Sequence, residues 1–113
     1  MKRGDIYYAN LSPAVGSEMD KCRPVLIVSN DANNRAANTV TILPITSNVR
    51  RVYPFEVLLN CEDSGLPKAS KVQAQQVRTI SQQRIVGEVI NSLSEELMQL
   101  VDAALKLHLG ISH

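Results

Sequence analysis

Pro24–Ser29, reading PVLIVS, limits the fold more than any other segment. It is a continuous apolar run of strand length, rich in β-branched residues, and such a run predicts a strand buried on both faces. Similar short runs recur at close spacing. Asp5–Leu11 is rich in Ile and Tyr and stops at Ser12-Pro13. Asn30-Asp31 offers side-chain caps for one short helical turn over Ala32–Asn38. Thr39–Thr46 (TVTILPIT) reads as the next strand. Its Pro44 removes a ladder donor, which predicts an edge or a bulge there. Pro54–Leu59 follows, then a turn at Asp63-Ser64-Gly65. Ser70–Ile80 reads as one long or bent strand and Arg84–Ile90 as a further short one. Five or six strands this close together predict a small barrel or sandwich rather than βαβ units.

Helical periodicity is confined to the C-terminus. Leu97, Leu100, Val101, Ala104 and Leu105 fall on one stripe. Ser92 with Glu95 fits a capping box, and Ser94 is an alternative cap. Glu95 and Glu96 suit the first turn, Lys106 and His108 the last, and Gly110 is placed to stop the helix. The expected architecture is mainly β with α: a compact barrel closed by one C-terminal helix. A length of 113 residues argues for a single domain over 1–113, with one modest core.

Composition removes several classes of function. No stretch reaches the ~18 apolar residues of a membrane span. The start, Met1-Lys2-Arg3-Gly4-Asp5, lacks the apolar run of a signal peptide, so a cytoplasmic protein is expected. Cys22 and Cys61 are not in metal-like spacing and are expected to be free thiols. The formal net charge of +1 does not mark a nucleic-acid binder. Residues 1–60 carry seven Lys or Arg against five acids, and residues 61–113 five against six. On composition alone the basic clusters Lys2-Arg3, Lys21–Arg23 and Arg50-Arg51 read first as solvated surface.

Motifs narrow the chemistry further. There is no GxxxxGK[ST] or GxGxxG loop to cradle nucleotide phosphates. No HExxH or paired-Cys motif offers a zinc site, so neither a metal nor a cofactor is expected. The two histidines, His108 and His113, stand at the far C-terminus, away from every other polar cluster. What remains is a polar set at strand ends. Arg23 stands immediately before the buried run, and its planar fork suits phosphate; a surface arginine capping a barrel end fits the position as well. Thr46-Ser47-Asn48 closes the strand that begins at Thr39. If that strand pairs antiparallel with Pro24–Ser29, Arg23 and Thr46 come to one rim. Gln76 and Arg78 share a face of a strand and could read base edges and hold phosphate, or simply cover an exposed sheet.

In order along the chain, RGDIYYANLSPAVGSE (3–18), RPVLIVSND (23–31), TILPITS (41–47), PFEV (54–57) and SGLPKASKVQAQQVRTI (64–80) resemble the MazF/PemK/Kid toxins. The resemblance covers nearly the whole chain. It implies a small SH3-like barrel (CcdB/PemK-like) with a C-terminal helix, working as a homodimer. It implies the toxin half of a type II toxin–antitoxin pair, a sequence-specific endoribonuclease acting on single-stranded RNA. The arginine of the R-P-V/A-L motif and the threonine of the I-T motif are catalytic in the family; here they are Arg23 and Thr46. Ser17, Glu18, Lys21, Ser47, Asn48, Gln76 and Arg78 are then the expected RNA-binding residues. The family often has two glycines where this sequence has Asp20-Lys21, which makes a stiffer, charged loop.

These residues support metal-free chemistry in which the 2′-OH attacks the phosphorus, leaving a 2′,3′-cyclic phosphate and a 5′-OH. Glu18 either accepts the proton or only orients Arg23. The basic rim of Arg23, Lys21 and Arg50-Arg51 fits a cognate antitoxin with an acidic disordered C-terminal segment. Two rivals are a CcdB-like inhibitor of DNA gyrase and a barrel that binds RNA without cutting it.

Overall fold

A computed structural model describes residues 1–13, 15–17 and 21–112. Among these residues seven strands form an antiparallel sheet: β1 (Asp5–Asn10), β2 (Cys22–Ile27), β3 (Thr39–Thr46), β4 (Glu56–Leu59), β5 (Ser70–Gln73), β6 (Arg78–Ser81) and β7 (Ile85–Ser92). Their order is β4-β5-β3-β2-β1-β7, with β6 also pairing β3. Three helices punctuate them: α1 (Asp31–Ala36), α2 (Cys61–Ser64) and α3 (Glu95–Leu109).

The run in β2 is buried on both faces, as its composition predicts. Val25, Leu26 and Ile27 have no exposed surface. Alternation sends them into two clusters. Leu26 joins Ile6, Leu43, Ile45 and Val72, under Met98, Val101 and Ala104 of α3. Val25 and Ile27 join Ala9, Leu11, Val40, Ile42 and Ile80 on the other side. One strand therefore anchors both cores, which fixes its register and that of its neighbours.

The sheet is barrel-like, but its path has two ends, β4 and β7, so hydrogen bonds do not close it. The short helix α2, which replaces the expected turn after β4, spans the gap instead. Asn91 of β7 donates from Nδ2 to the Asp63 carbonyl at 2.9 Å. Gly65 caps α2 at φ 73, where a Cβ would stand 3.1 Å from the Asn91 Cβ.

Four expectations need correction. Ser70–Ile80 is not one strand: a 3₁₀ turn, Ala74–Gln76, separates β5 from β6. On β3, Ile45 faces Val72 and Ile42 faces Arg78, so three steps of β3 match six steps opposite. The surplus is the 3₁₀ turn, where the chain turns a corner of the sheet. Pro44 lies between these two ladders, at the change of partner rather than on a free edge. At α3 the cap is Ser94, whose hydroxyl accepts the Leu97 N–H, while Ser92 is still in β7 and donates to Asp5 Oδ1 at 2.6 Å. Leu100 also leaves the expected stripe: it is 56% exposed, and Met98 faces the core in its place. Gly110 ends the helix in the left-handed conformation, as expected.

Candidate active site

Arg23 is the second residue of β2 and Thr46 the last of β3. The two strands pair antiparallel with Val25 opposite Pro44. Two further steps along the same register set Arg23 across from Thr46. Both side chains line one depression of about 450 Å³, together with Ser47, Asn48, Lys71 and Gln73. The turn beyond Thr46 is pinned by its own side chains. Thr46 Oγ1 accepts the Asn48 N–H at 3.2 Å, and Asn48 Oδ1 accepts the Arg50 N–H at 3.3 Å. A hydroxyl that accepts a backbone bond still has its own proton to donate.

The other expected residues sit elsewhere. Gln76 donates from Nε2 to the Ser17 carbonyl at 3.3 Å, and Arg78 from Nη1 to the Leu11 carbonyl at 3.1 Å. Gln76 and Arg78 thus hold the segment that follows β1 and are not part of the lining of the depression. Ser17 is exposed beyond it. Glu18 and Asp20 lie outside the described residues. Lys21 closes the neck of the same segment: its N–H donates to Ser12 Oγ and its carbonyl accepts from Leu11, both at 2.9 Å.

Lys71 and Gln73 enter the depression from β5. Lys71 faces Thr46 across the β3–β5 ladder. It is almost wholly buried, and its Nζ donates to Glu56 Oε1 at 2.9 Å and to the Arg51 carbonyl at 2.6 Å. Glu56 is buried as well; Gln75 Nε2 donates to Oε2 at 2.7 Å and the Tyr53 N–H to Oε1 at 3.0 Å. Burial pushes the Glu56 carboxyl up. Hydrogen bonds from Gln75, Tyr53 and Lys71, together with the Lys71 charge, outweigh burial and hold it below the usual carboxylate value. The carboxylate is therefore ionised and fully engaged, a support for the site's floor.

Residues 2–109 match the model of a family described as PemK-like, MazF-like toxin of type II toxin-antitoxin system. The chain belongs to that family. It is 43% identical to Endoribonuclease MazF9 of Mycobacterium tuberculosis, over 98% of each protein. It is 38% identical to Endoribonuclease EndoA of Bacillus subtilis, over 98% of this chain and 96% of that one. Solved structures agree: MazF from Deinococcus radiodurans superposes with a TM-score of 0.83 at 26% identity, covering 97% and 96% of the two chains. An endoribonuclease in complex with its cognate antitoxin, from a mycobacterial species, superposes with 0.81 at 26% identity, covering 100% and 98%.

Within this MazF-like frame the Asp20-Lys21 departure has a conformational meaning. Lys21 adopts φ 65, the left-handed region that a glycine would occupy without strain. A β-branched residue tolerates that region worst. Lys21→Val should therefore cost about 1–2 kcal/mol of stability in urea unfolding, whereas Lys21→Gly should cost nothing. Equal losses in both variants would locate the effect in the lysine side chain instead.

Sequence reasoning missed Glu56, Lys71 and Gln73. A signal was present at Glu56, the one charge in the apolar run PFEVLL, since charges are rarely buried unless paired; Lys71, in the polar segment SKVQ, gave none. His108 stands apart, with its ring 6.4 Å from that of Phe55; His113 lies outside the described residues. Cys22 and Cys61 are free and exposed. Among the described residues no three His, Cys, Asp or Glu group as metal ligands, and no helix is long and apolar enough to cross a membrane.

Proposed function

We propose that this toxin is a metal-independent endoribonuclease that cuts single-stranded RNA, chiefly mRNA, at specific sequences. The observation that carries the reading is the β2–β3 register, which brings a guanidinium and a hydroxyl into one depression of nucleotide size. RNA supplies its own nucleophile. O2′ attacks the adjacent phosphorus, the P–O5′ bond breaks, and a 2′,3′-cyclic phosphate and a 5′-OH result. Arg23 donates two parallel charge-assisted bonds to the non-bridging oxygens. The Thr46 hydroxyl adds a third donor. Alignment and charge stabilisation then supply most of the rate without a metal. Glu18 either accepts the O2′ proton or orients Arg23, in which case water takes that proton; water protonates the departing O5′ to give the 5′-OH. Ser47 and Asn48 stand beside the phosphate, where they meet base edges or riboses.

The same reading gives the chain its partners. The mycobacterial neighbour was solved with its cognate antitoxin. On this chain an acidic, disordered antitoxin segment would lie along the basic rim of Arg23, Lys21, Arg50 and Arg51. The chain would act in the cytoplasm as a homodimer of one toxin domain each.

The test is direct. Pure protein incubated in EDTA with a long single-stranded RNA should give discrete fragments ending in 2′,3′-cyclic phosphate. Intact RNA across diverse sequences would end this reading. Inhibition of gyrase supercoiling without RNA cleavage would move the target to a protein.

A further inference from the structure

Gln73 lines the depression that holds Arg23 and Thr46, and among the described residues its amide oxygen has no partner. The half-buried Gln75, Gln76 and Gln82 each donate from Nε2 to a protein oxygen. Gln73 is half-buried too, but its Oε1 is itself buried without a donor. Gln75 Oε1 shares that lack, yet its amide is tied to Glu56 and is not part of the lining.

A buried acceptor without a donor costs the fold the desolvation of that group. Methionine, of the same length, would fill the place without that cost. The cost falls inside the site, which points to a ligand group that meets the oxygen there. The last torsion of a glutamine is broad, so the amide turns toward the depression without strain.

The rest of the lining tells which ligand group that is. The Arg23 guanidinium, the Lys71 ammonium and the Thr46 and Ser47 hydroxyls all offer protons, and they suit a phosphate. A phosphodiester has no proton to give back, so an acceptor among these donors faces another part of the nucleotide. Lys71 faces Thr46 across the β3–β5 ladder. Gln73 stands two residues further on the same face of β5, about 7 Å along the strand. That step leads from the phosphate toward the base. β5 is paired on both edges, with β3 and with β4, so the amide is offered from a rigid strand rather than a loop.

We propose that Gln73 is a specificity-determining residue, whose Oε1 accepts an N–H from the edge of one base beside the scissile phosphate. Its Nε2 then donates to the neighbouring acceptor on that edge. The proposal rests on the RNA-cutting reading above and names a side chain that selects which sequence is cut.

The experiment uses a 2′-fluoro RNA pool with a randomised window, bound to the wild type and to Gln73→Met, and the retained sequences are read. At one position the wild type should favour one base by about 5- to 150-fold, the worth of one good amide–base pair. Gln73→Met should lose that preference and keep those at other positions. An analogue of the favoured base that lacks only the donor N–H should weaken binding to the wild type by a similar factor and to Gln73→Met hardly at all. Gln73→Met should melt no lower than the wild type, because the acceptor it removes had no donor. A preference that survives in Gln73→Met overturns the proposal, as does a wild type that favours no sequence. Weakening that is equal for every sequence also overturns it and places the amide on the ribose. A melting temperature well below that of the wild type overturns it by giving the amide a partner in the fold. The probe has no 2′-OH to attack, so cleavage is read separately on ordinary RNA. Cleavage with an unchanged preference removes the base reader and leaves the nuclease; a preference that depends on Gln73, without cleavage, keeps the reader and removes the nuclease.

Discussion

Arg23→Ala is expected to lower the single-turnover cleavage rate by about 10²–10³-fold, the usual loss when one donor to a transition-state oxyanion is removed. Two features make the loss large. Arg23 is half-buried in a depression rather than waving in solvent, so water replaces it poorly. On the proposed mechanism its fork would also make two parallel bonds to the phosphate, whose geometry a point charge does not reproduce. Arg23→Lys should therefore recover only a small part of the rate. Thr46→Val, which keeps the shape and removes the donor, should fall in the same direction. The rate constant should drop with little change in RNA affinity, because the crowded phosphate gains these bonds only as the reaction proceeds. Melting curves of the two arginine variants should match the wild type, since neither empties a core position; Thr46→Val also loses the bond from the Asn48 N–H and should melt slightly lower. A rate within about threefold of wild type for Arg23→Ala would remove the guanidinium from the mechanism, being far short of the loss expected for such a donor.

The parts of this site that could be read in advance are those set by a single local rule. Arg23 and Thr46 meet because two consecutive strands pair antiparallel, and PVLIVS and TVTILPIT announce both strands. The ordered motifs of the family supplied the chemistry that position alone left open. Asn30 caps α1 and Gly110 ends α3 for reasons local to a few residues. Gln76 and Arg78 show where local rules stop. Their expected common face depended on an unbroken strand, yet SKVQAQQVRTI carries no Gly or Pro to mark the 3₁₀ turn inside it. That break is imposed by β3, which takes β5 along one half of its edge and β6 along the other. Tertiary pairing decides it, and no period in the segment reports it. The pairing of Lys71 with Glu56 was hidden for the same reason: they lie 15 residues apart and meet only because β4 and β5 are neighbours.

That hidden pair should produce the largest stability effect in the chain. Lys71→Met leaves the Glu56 carboxylate buried without its counter-ion, and Glu56→Gln leaves the Lys71 ammonium in the same state. Breaking one side of a buried pair costs about 3–5 kcal/mol. Against a total of roughly 5–15 kcal/mol this brings the fold near its limit. At this chain length it corresponds to a fall in melting temperature of roughly 12–20 °C. Removing both charges in Glu56→Gln/Lys71→Met should cost less than the sum of the single variants, because neither charge is then stranded. Acid offers an independent check. The Glu56 carboxyl titrates lower in the folded chain than in the unfolded one, where the usual value is about 4.3. Its contribution is therefore fully present above that value and is lost as pH falls through the lower, folded value. The stability gap between wild type and Glu56→Gln should stay constant at neutral pH and narrow below about pH 4, as the wild-type carboxyl takes up its proton. A gap that is small at neutral pH, or that widens in acid, would mean that Glu56 is not ionised beneath the site.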